Sequence, residues 1–458
     1  MVFMKKVKIA YLGGGSRGWA WYLMSDLAME KSFTPEVYLY DIDKEAAKAN
    51  EIIGNRIPED CPDANPVTYK AAETIEEALT DADFVVISIL PGTFTEMGSD
   101  VHTPEKYGIY QSVGDTTGPG GIIRALRTLP MMEYFALKIK ECCPRAWVIN
   151  YTNPMTLSIG MLYRTFPEIK AFGCCHEVFF TRDLLGEAAK EILGIEEEIT
   201  RDDIRVNVMG INHFTWLDKA NYKGIDLFPV YRKFCEKYVK TGTFKEEKYD
   251  YLKAFSNGNC IKMDLFLRYG TIAAAGDRHL AEFCPGNWYL KDLETVAEWK
   301  FALTPIQYRI DGLKDRLAKS KRLVNREEKF ELVPSGEEGV LQMKALLGLE
   351  DLVTNVNLPN VGQIPNLPLG AVVETNAAFT CDSVLPVVAG SMPDGPLGLT
   401  MPHVTNQQLI LDAVQNRDLE TAFMAFAKDP LVRIGLSDTR KLFNEMIENT
   451  KEYLEDYK

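Results

Sequence analysis

Strand-like and helix-like stretches alternate along the first 200 residues. That alternation predicts a parallel sheet with crossover helices. Val7 to Leu12 reads as a strand, Trp19 to Glu30 as a helix, and Val37 to Tyr40 as the next strand, closing at Asp41. Phe84 to Leu90 is a nearly continuous apolar run, as expected of a strand covered on both faces. Trp147 to Asn150 and Ile169 to Gly173 supply two more strands, and a helix from about Thr181 to Leu193 completes the unit. Beyond residue 200 the pattern changes. Arg205 to Met209 alternates polar and apolar, as an antiparallel strand with one wet face does. Val296 to Leu317, interrupted at Pro305, and Asn406 to Ala427 read as helices. Thr354 to Pro368 holds four asparagines and three prolines and reads as an irregular loop. The expected architecture is α/β: a Rossmann-like doubly wound sheet over residues 1–200, as in lactate and malate dehydrogenases, then an α+β, helix-rich domain over 201–458.

With 46% hydrophobic and 25% charged residues in 458, the chain has ample core for a globular enzyme. Its net charge of −14 opposes binding to nucleic acid or anionic membranes, so an anionic ligand must be met by local arginines. Nine cysteines follow no disulfide spacing and the count is odd, which fits reduced thiols in a cytoplasmic protein. The first twelve residues carry no targeting signature.

Gly13-Gly14-Gly15-Ser16-Arg17-Gly18 places glycine at the first, third and sixth positions of the dinucleotide fingerprint, between a strand and a helix. Asp41 closes the second strand where an acid bonds the adenosine ribose hydroxyls, which favours NAD over its 2′-phosphorylated form, with Arg17 as the residue that weighs the other way. Asn150-Tyr151-Thr152-Asn153-Pro154 follows a strand at the carboxyl edge, where asparagines suit sugar hydroxyls or the nicotinamide amide. Cys174-Cys175-His176-Glu177-Val178 sits at the next strand end, with a thiol, an imidazole and a carboxylate in sequence. These motifs alone fit a 2-hydroxy acid dehydrogenase as well.

Six ordered segments narrow the choice: the glycine loop through Trp19, Ser112 to Asp115 with Gly118 to Ile122, Asn150 to Pro154, Cys175 to Val178, Ile211 to Trp216, and Gly276-Asp277-Arg278-His279. Together they resemble glycoside hydrolase family 4, the NAD- and metal-dependent glycosidases, an exception to two-carboxylate glycosidases. Cys-His-Glu-Val looks like the version found in α-galacturonidases, whereas the 6-phosphoglycosidases carry a different tetrapeptide. Glu177 is thus what argues for a uronic acid substrate; α-glucuronidase and α-galactosidase are the alternatives within the family.

The resemblance implies exo-cleavage by oxidation at C3, elimination of the C1–oxygen bond, water addition and re-reduction. It also implies roles. Cys175 and His213 would ligate a divalent metal, with manganese first and iron, cobalt or nickel as alternatives. Asp277 would remove the C2 proton, or else cap a helix. His176 or Glu177 would protonate the leaving oxygen, or orient Cys175. Gly13, Gly14, Gly15, Ser16, Arg17, Asp41 and Asn150 would hold NAD, while Asn153, Arg278 and Arg124 would bind the uronate, arginine being the best carboxylate partner. His102, His279 and His403 are further pocket candidates without roles. The second domain would carry the metal and substrate and drive assembly into a homodimer or homotetramer.

Overall fold

The computed structural model describes residues 6–244 and 255–458. Six parallel strands form its centre: β1 (Lys6–Leu12), β2 (Thr34–Tyr40), β3 (Thr68–Ala71), β4 (Phe84–Ile87), β5 (Trp147–Asn150) and β6 (Lys170–Gly173). They lie in the order β3-β2-β1-β4-β5-β6, so the chain reverses direction between β1 and β4. That is the doubly wound order, and ligands bind where it switches. The period-two rule explains how both faces are covered. In β1, Val7, Ile9 and Tyr11 pack with the helices Trp19–Met29 and Lys44–Asp60, while Ala10 and Leu12 pack with Gly118–Cys142 on the other face. In β4 all four residues are buried. Each such aliphatic side chain contributes roughly 1.5–3 kcal/mol by leaving water.

The same sheet continues past residue 350. Strands β11 (Leu352–Pro359), β12 (Val372–Thr380) and β13 (Ser383–Pro386) add to β6 as an antiparallel extension, with Asn357 opposite Gly173. The first part of the expected loop over 354–368, up to Pro359, is therefore strand, and the boundary expected at residue 200 does not confine the first sheet. Asparagine disfavours strands, but here Asn355 Nδ2 donates to Glu374 Oε1 at 2.7 Å across the β11–β12 pair. Tertiary partners override the local preference.

A second sheet is built from β7 (Ile204–Ile211), β8 (Phe214–Tyr222), β9 (Ile225–Asp226) and β10 (Ile272–Ala273). It packs with the helices Glu177–Leu193, Phe228–Tyr238 and Cys260–Tyr269. The first of these begins four residues before its expected start, which leaves His176 at its N-cap. Pro305 does interrupt the 296–317 segment, as the N-cap of Ile306–Asn325, and Arg417 in the left-handed conformation splits Asp394–Asn416 from Leu419–Ala427. All nine cysteines are unpaired. Among the described residues, no helix is long and apolar enough to cross a membrane.

Candidate active site

The glycine loop leaves β1 at the switch point. Gly13 has φ +97°, and a Cβ there would lie 2.0 Å from the Ser88 carbonyl oxygen, so only glycine fits. The Gly13 and Gly14 N–H groups both donate to the Tyr40 carbonyl at 2.9 Å. Asp41, expected to face ribose, accepts from the Gly15 N–H at 2.8 Å and the Asp43 N–H at 3.0 Å, so it also ties the loop to the end of β2. Buried Asn50, which the sequence reading missed, donates to the carbonyls of Gly14 and Ser16 and accepts from the Trp21 indole. Arg17 stands 3.7 Å from Asp43 in a partly exposed pair. No side chain caps the helix Trp19–Met29, whose first N–H groups are thus open to an anion.

At the end of β5, Asn150 is buried and folds onto its own turn: Nδ2 donates to the Thr152 carbonyl and Oδ1 accepts the Thr152 N–H. It clips the loop that carries Asn153. The Asn153 carbonyl accepts from Arg124 Nε at 3.1 Å, while Asn153 Oδ1 and Arg124 Nη1 are buried without partners among the described residues.

The densest chemistry lies where three segments meet. Asp115, His213 and His279 each present a ligand atom, all within 4.8 Å of one another. His213 occupies the two-residue turn between β7 and β8 with φ +63°, a conformation that costs a non-glycine residue of order 1–3 kcal/mol and persists at functional sites. Its ring stacks on His279 with centroids 3.8 Å apart. The Thr116 hydroxyl donates to Asp115 Oδ1 at 2.7 Å, so its oxygen must accept from His213 Nδ1 at 3.0 Å. The proton therefore sits on Nδ1 and the lone pair on Nε2. His279 Nδ1 is buried with no partner among the described residues. Burial pushes both imidazoles down to about 3, so both are neutral at pH 7, as metal ligation requires. Burial would raise Asp115, but Arg124, His279, Arg309 and His213 together hold it well below the usual carboxylate range.

Buried carboxylates position these segments. Glu282, on the helix of His279, accepts the Val113 and Gly114 N–H groups at 2.7 and 2.8 Å and so fixes the Asp115 loop. Burial raises it to about 8. Glu177 Oε2 accepts the Gly276 N–H at 2.6 Å, and Oε1 lies 3.7 Å from His279 Nε2. It braces the turn that delivers His279. Cys175 is buried outside the Asp115–His213–His279 trio; Asn212, the neighbour of His213, lies against its thiol, which burial, Glu374 and Glu177 push up. His176 pairs through Nδ1 with Glu337 Oε1 at 2.5 Å; burial opposes its proton but Glu337 outweighs that and raises it.

Asp277 is held by a neighbouring helix and not by its own. Gly276 is the N-cap of its own helix, and the Asp277 oxygens instead accept the N–H groups of Ile261 at 3.1 Å and Lys262 at 3.0 Å, the start of Cys260–Tyr269. It is fully buried and caps that neighbouring helix. Arg278 is likewise engaged, donating to Thr304 Oγ1 and lying over the Phe255 ring at 4.0 Å. His102 and His403 pack elsewhere: His102 accepts the Ile306 N–H, and His403 bonds Thr117 and the Phe283 carbonyl.

Asp115, Glu282, Glu337, Glu374 and Arg309 were given no role from sequence. Asp115 lay inside a recognised motif, and Glu374 is an acid on an otherwise apolar strand, a readable signal of a buried polar contact. Nothing local marks Arg309.

A doubly wound sheet with a glycine loop at its switch point and a buried imidazole–carboxylate cluster on the same side defines a nucleotide-dependent enzyme. The chain belongs to the family 4 glycosyl hydrolases: residues 8–191 match that family and residues 208–432 match its C-terminal domain. It is 60% identical over 453 residues to an α-galacturonidase of Thermoanaerobacter italicus, covering 98% of each chain. It superposes on the crystal structure of lplD from Bacillus subtilis with TM-score 0.91 and 49% identity, covering 97% of this chain and 100% of that one. A 6-phospho-α-glucosidase from gut microorganisms, in complex with NAD and Mn2+, shares the fold at TM-score 0.80 and 21% identity over 98% of this chain and 99% of that one.

Proposed function

We propose that this protein is an exo-acting α-galacturonidase that uses NAD and a divalent cation, manganese first among the candidates. The observation that carries the cofactor requirement is the buried His279 Nδ1, without a partner among the described residues, beside His213 and Asp115. Two neutral imidazoles and one carboxylate suit a borderline or hard divalent ion. Cys175 enters as a further ligand from its neighbouring strand end. The glycine cradle and the uncapped helix behind it fit a pyrophosphate. The glycone assignment rests on the 60% identical relative and on the buried, unpaired arginine nitrogen of Arg124.

When bound, NAD and the cation would supply hydride exchange at the sugar and stabilisation of developing oxygen charge. The chain's own residues do the rest. Arg124 and Asn153 bind and orient the sugar. Glu177 holds the Gly276–His279 turn, and Glu282 holds the Asp115 loop. His176, whose proton Glu337 favours, donates a proton to the leaving oxygen from Nε2. Asp277 enters as the residue that fixes the helix end beside the site instead of as the C2 base. Nine reduced thiols fit a cytoplasmic enzyme, and we propose a homodimer or homotetramer, to be tested by light scattering on the purified protein.

The test is a panel of 4-nitrophenyl α-galacturonide, α-glucuronide and α-galactoside, each with and without NAD, manganese and a thiol. Galacturonide cleavage that needs all three, with deuterium at C2 of the product when run in heavy water, is expected. Stoichiometric NADH release from a hydroxy acid would instead mean a dehydrogenase.

A further inference from the structure

Three arginines stand around Asp115, and they differ in what already holds them. Arg278 is bound to Thr304 and covered by Phe255. Arg124 is buried, uses Nε on the Asn153 carbonyl, and leaves Nη1 without a partner among the described residues. Arg309 lies in the first turn of Ile306–Asn325 and leaves Nε buried without a partner among them as well. The start of that helix is pinned against the Asp115 loop: the Thr304 N–H donates to the Ser112 carbonyl at 2.9 Å, and the Ile306 N–H to His102 Nε2 at 3.2 Å. Arg309 accordingly acts electrostatically on Asp115, Arg124, Arg278 and His279. Beside Arg124, Asn153 Oδ1 is an acceptor without a partner among the described residues.

Buried guanidinium nitrogens left unpaired are costly, and a bound anion relieves that cost. Two planar cations with an adjacent acceptor match a carboxylate next to a hydroxyl. We propose that Arg309, with the free Nη1 of Arg124, binds the C6 carboxylate of the uronate while Asn153 Oδ1 takes a sugar hydroxyl, so that Arg309 sets the preference for uronates over neutral hexosides. This rests on the galacturonidase reading above.

The test compares 4-nitrophenyl α-galacturonide with its C6 methyl ester, a neutral isostere, in wild type, R309Q and R309K, all with NAD and manganese. Wild type should favour the acid in kcat/KM. R309Q should reduce the acid-to-ester ratio by roughly 10- to 150-fold, the worth of a charged hydrogen-bonded contact. R309K keeps the charge without the fork and should fall between. NAD binding by fluorescence reports folding; if R309Q does not bind NAD, R309K carries the test, and a wild-type ratio in it overturns the proposal. An unchanged ratio in R309Q overturns it too, leaving the galacturonidase reading intact. A chain that cleaves neither compound sinks both. Tighter inhibition by galactose 6-phosphate than by galacturonate would mean the arginines read phosphate and would also overturn it.

Discussion

Replacing Asp277 by asparagine separates a helix cap from a catalytic base. The carboxylate is fully buried, and desolvation raises it from 3.8 to about 6 despite Lys262 and the N–H groups of Ile261 and Lys262. Lys262 is itself pushed down by burial, so for both partners desolvation outweighs their mutual attraction. Because the folded-state value is the higher one, the group's contribution is complete below 3.8 and is lost as pH rises through about 6. The shift corresponds to roughly 3 kcal/mol. The substituted amide would have no charge to bury and would keep one acceptor for a helix N–H, while Lys262 would lose its nearest anion. The stability of Asp277→Asn relative to wild type should therefore rise by up to about 3 kcal/mol between pH 4 and pH 7. Scanning fluorimetry across that range measures it. Asp277→Ala should be less stable than wild type throughout, since two buried N–H donors lose their acceptor at about 1–3 kcal/mol each. As a cap, Asp277→Asn should retain exchange of the C2 proton with heavy water. A folded variant that binds NAD and manganese yet shows no exchange, with kcat down by about 10²–10⁴, would refute the cap reasoning and restore the base.

Three further outcomes follow from the same geometry. His279→Gln should weaken Mn2+ binding at least about 10-fold by electron paramagnetic resonance, and Cys175→Ser should weaken it as well; unchanged binding there would make the thiol a packed neighbour and not a ligand. Gly13→Ala drives a Cβ to 2.0 Å from the Ser88 carbonyl, so NAD titration by fluorescence should show binding lost or the chain poorly folded. Without metal, His213 and His279 are folded neutral with depressed values near 3, so their contribution is present above 6.5 and is lost as pH falls toward 3; the melting temperature of the metal-free protein should fall steeply over that range.

What the sequence made legible was whatever is local. The order of strands and helices to residue 200, the glycine loop and the polar strand ends all follow from short-range pattern, and the structure has them. Hidden were the features that depend on distant partners. Asn355 and Asn357 look like loop residues until Glu374, opposite on β12, supplies an acceptor. Arg309 is one polar residue on an exposed helix until the pinning of Thr304 turns that helix onto the Asp115 loop. Asp277 reads in sequence as the start of the helix that follows it, whereas its oxygens reach the helix before it. Spacing cannot reveal that, because two helix starts lie beside one carboxylate only after the chain has folded.

The charge around the site reconciles an acidic chain with an anionic substrate. A net charge of −14 should repel a uronate at long range, but the field that matters is set within a Debye length, about 8–10 Å at ordinary salt. There, Arg124, Arg278 and Arg309 all act on Asp115. Two structural carboxyl groups nearby carry less than a full charge, since burial raises Glu282 to about 8 and Glu374 to about 7. Each holds backbone or amide donors in place without adding a full negative charge at neutral pH. Burying the structural carboxylates thus does two things at once: it fixes the loops, and it adds less negative charge beside the arginines than ionised acids would.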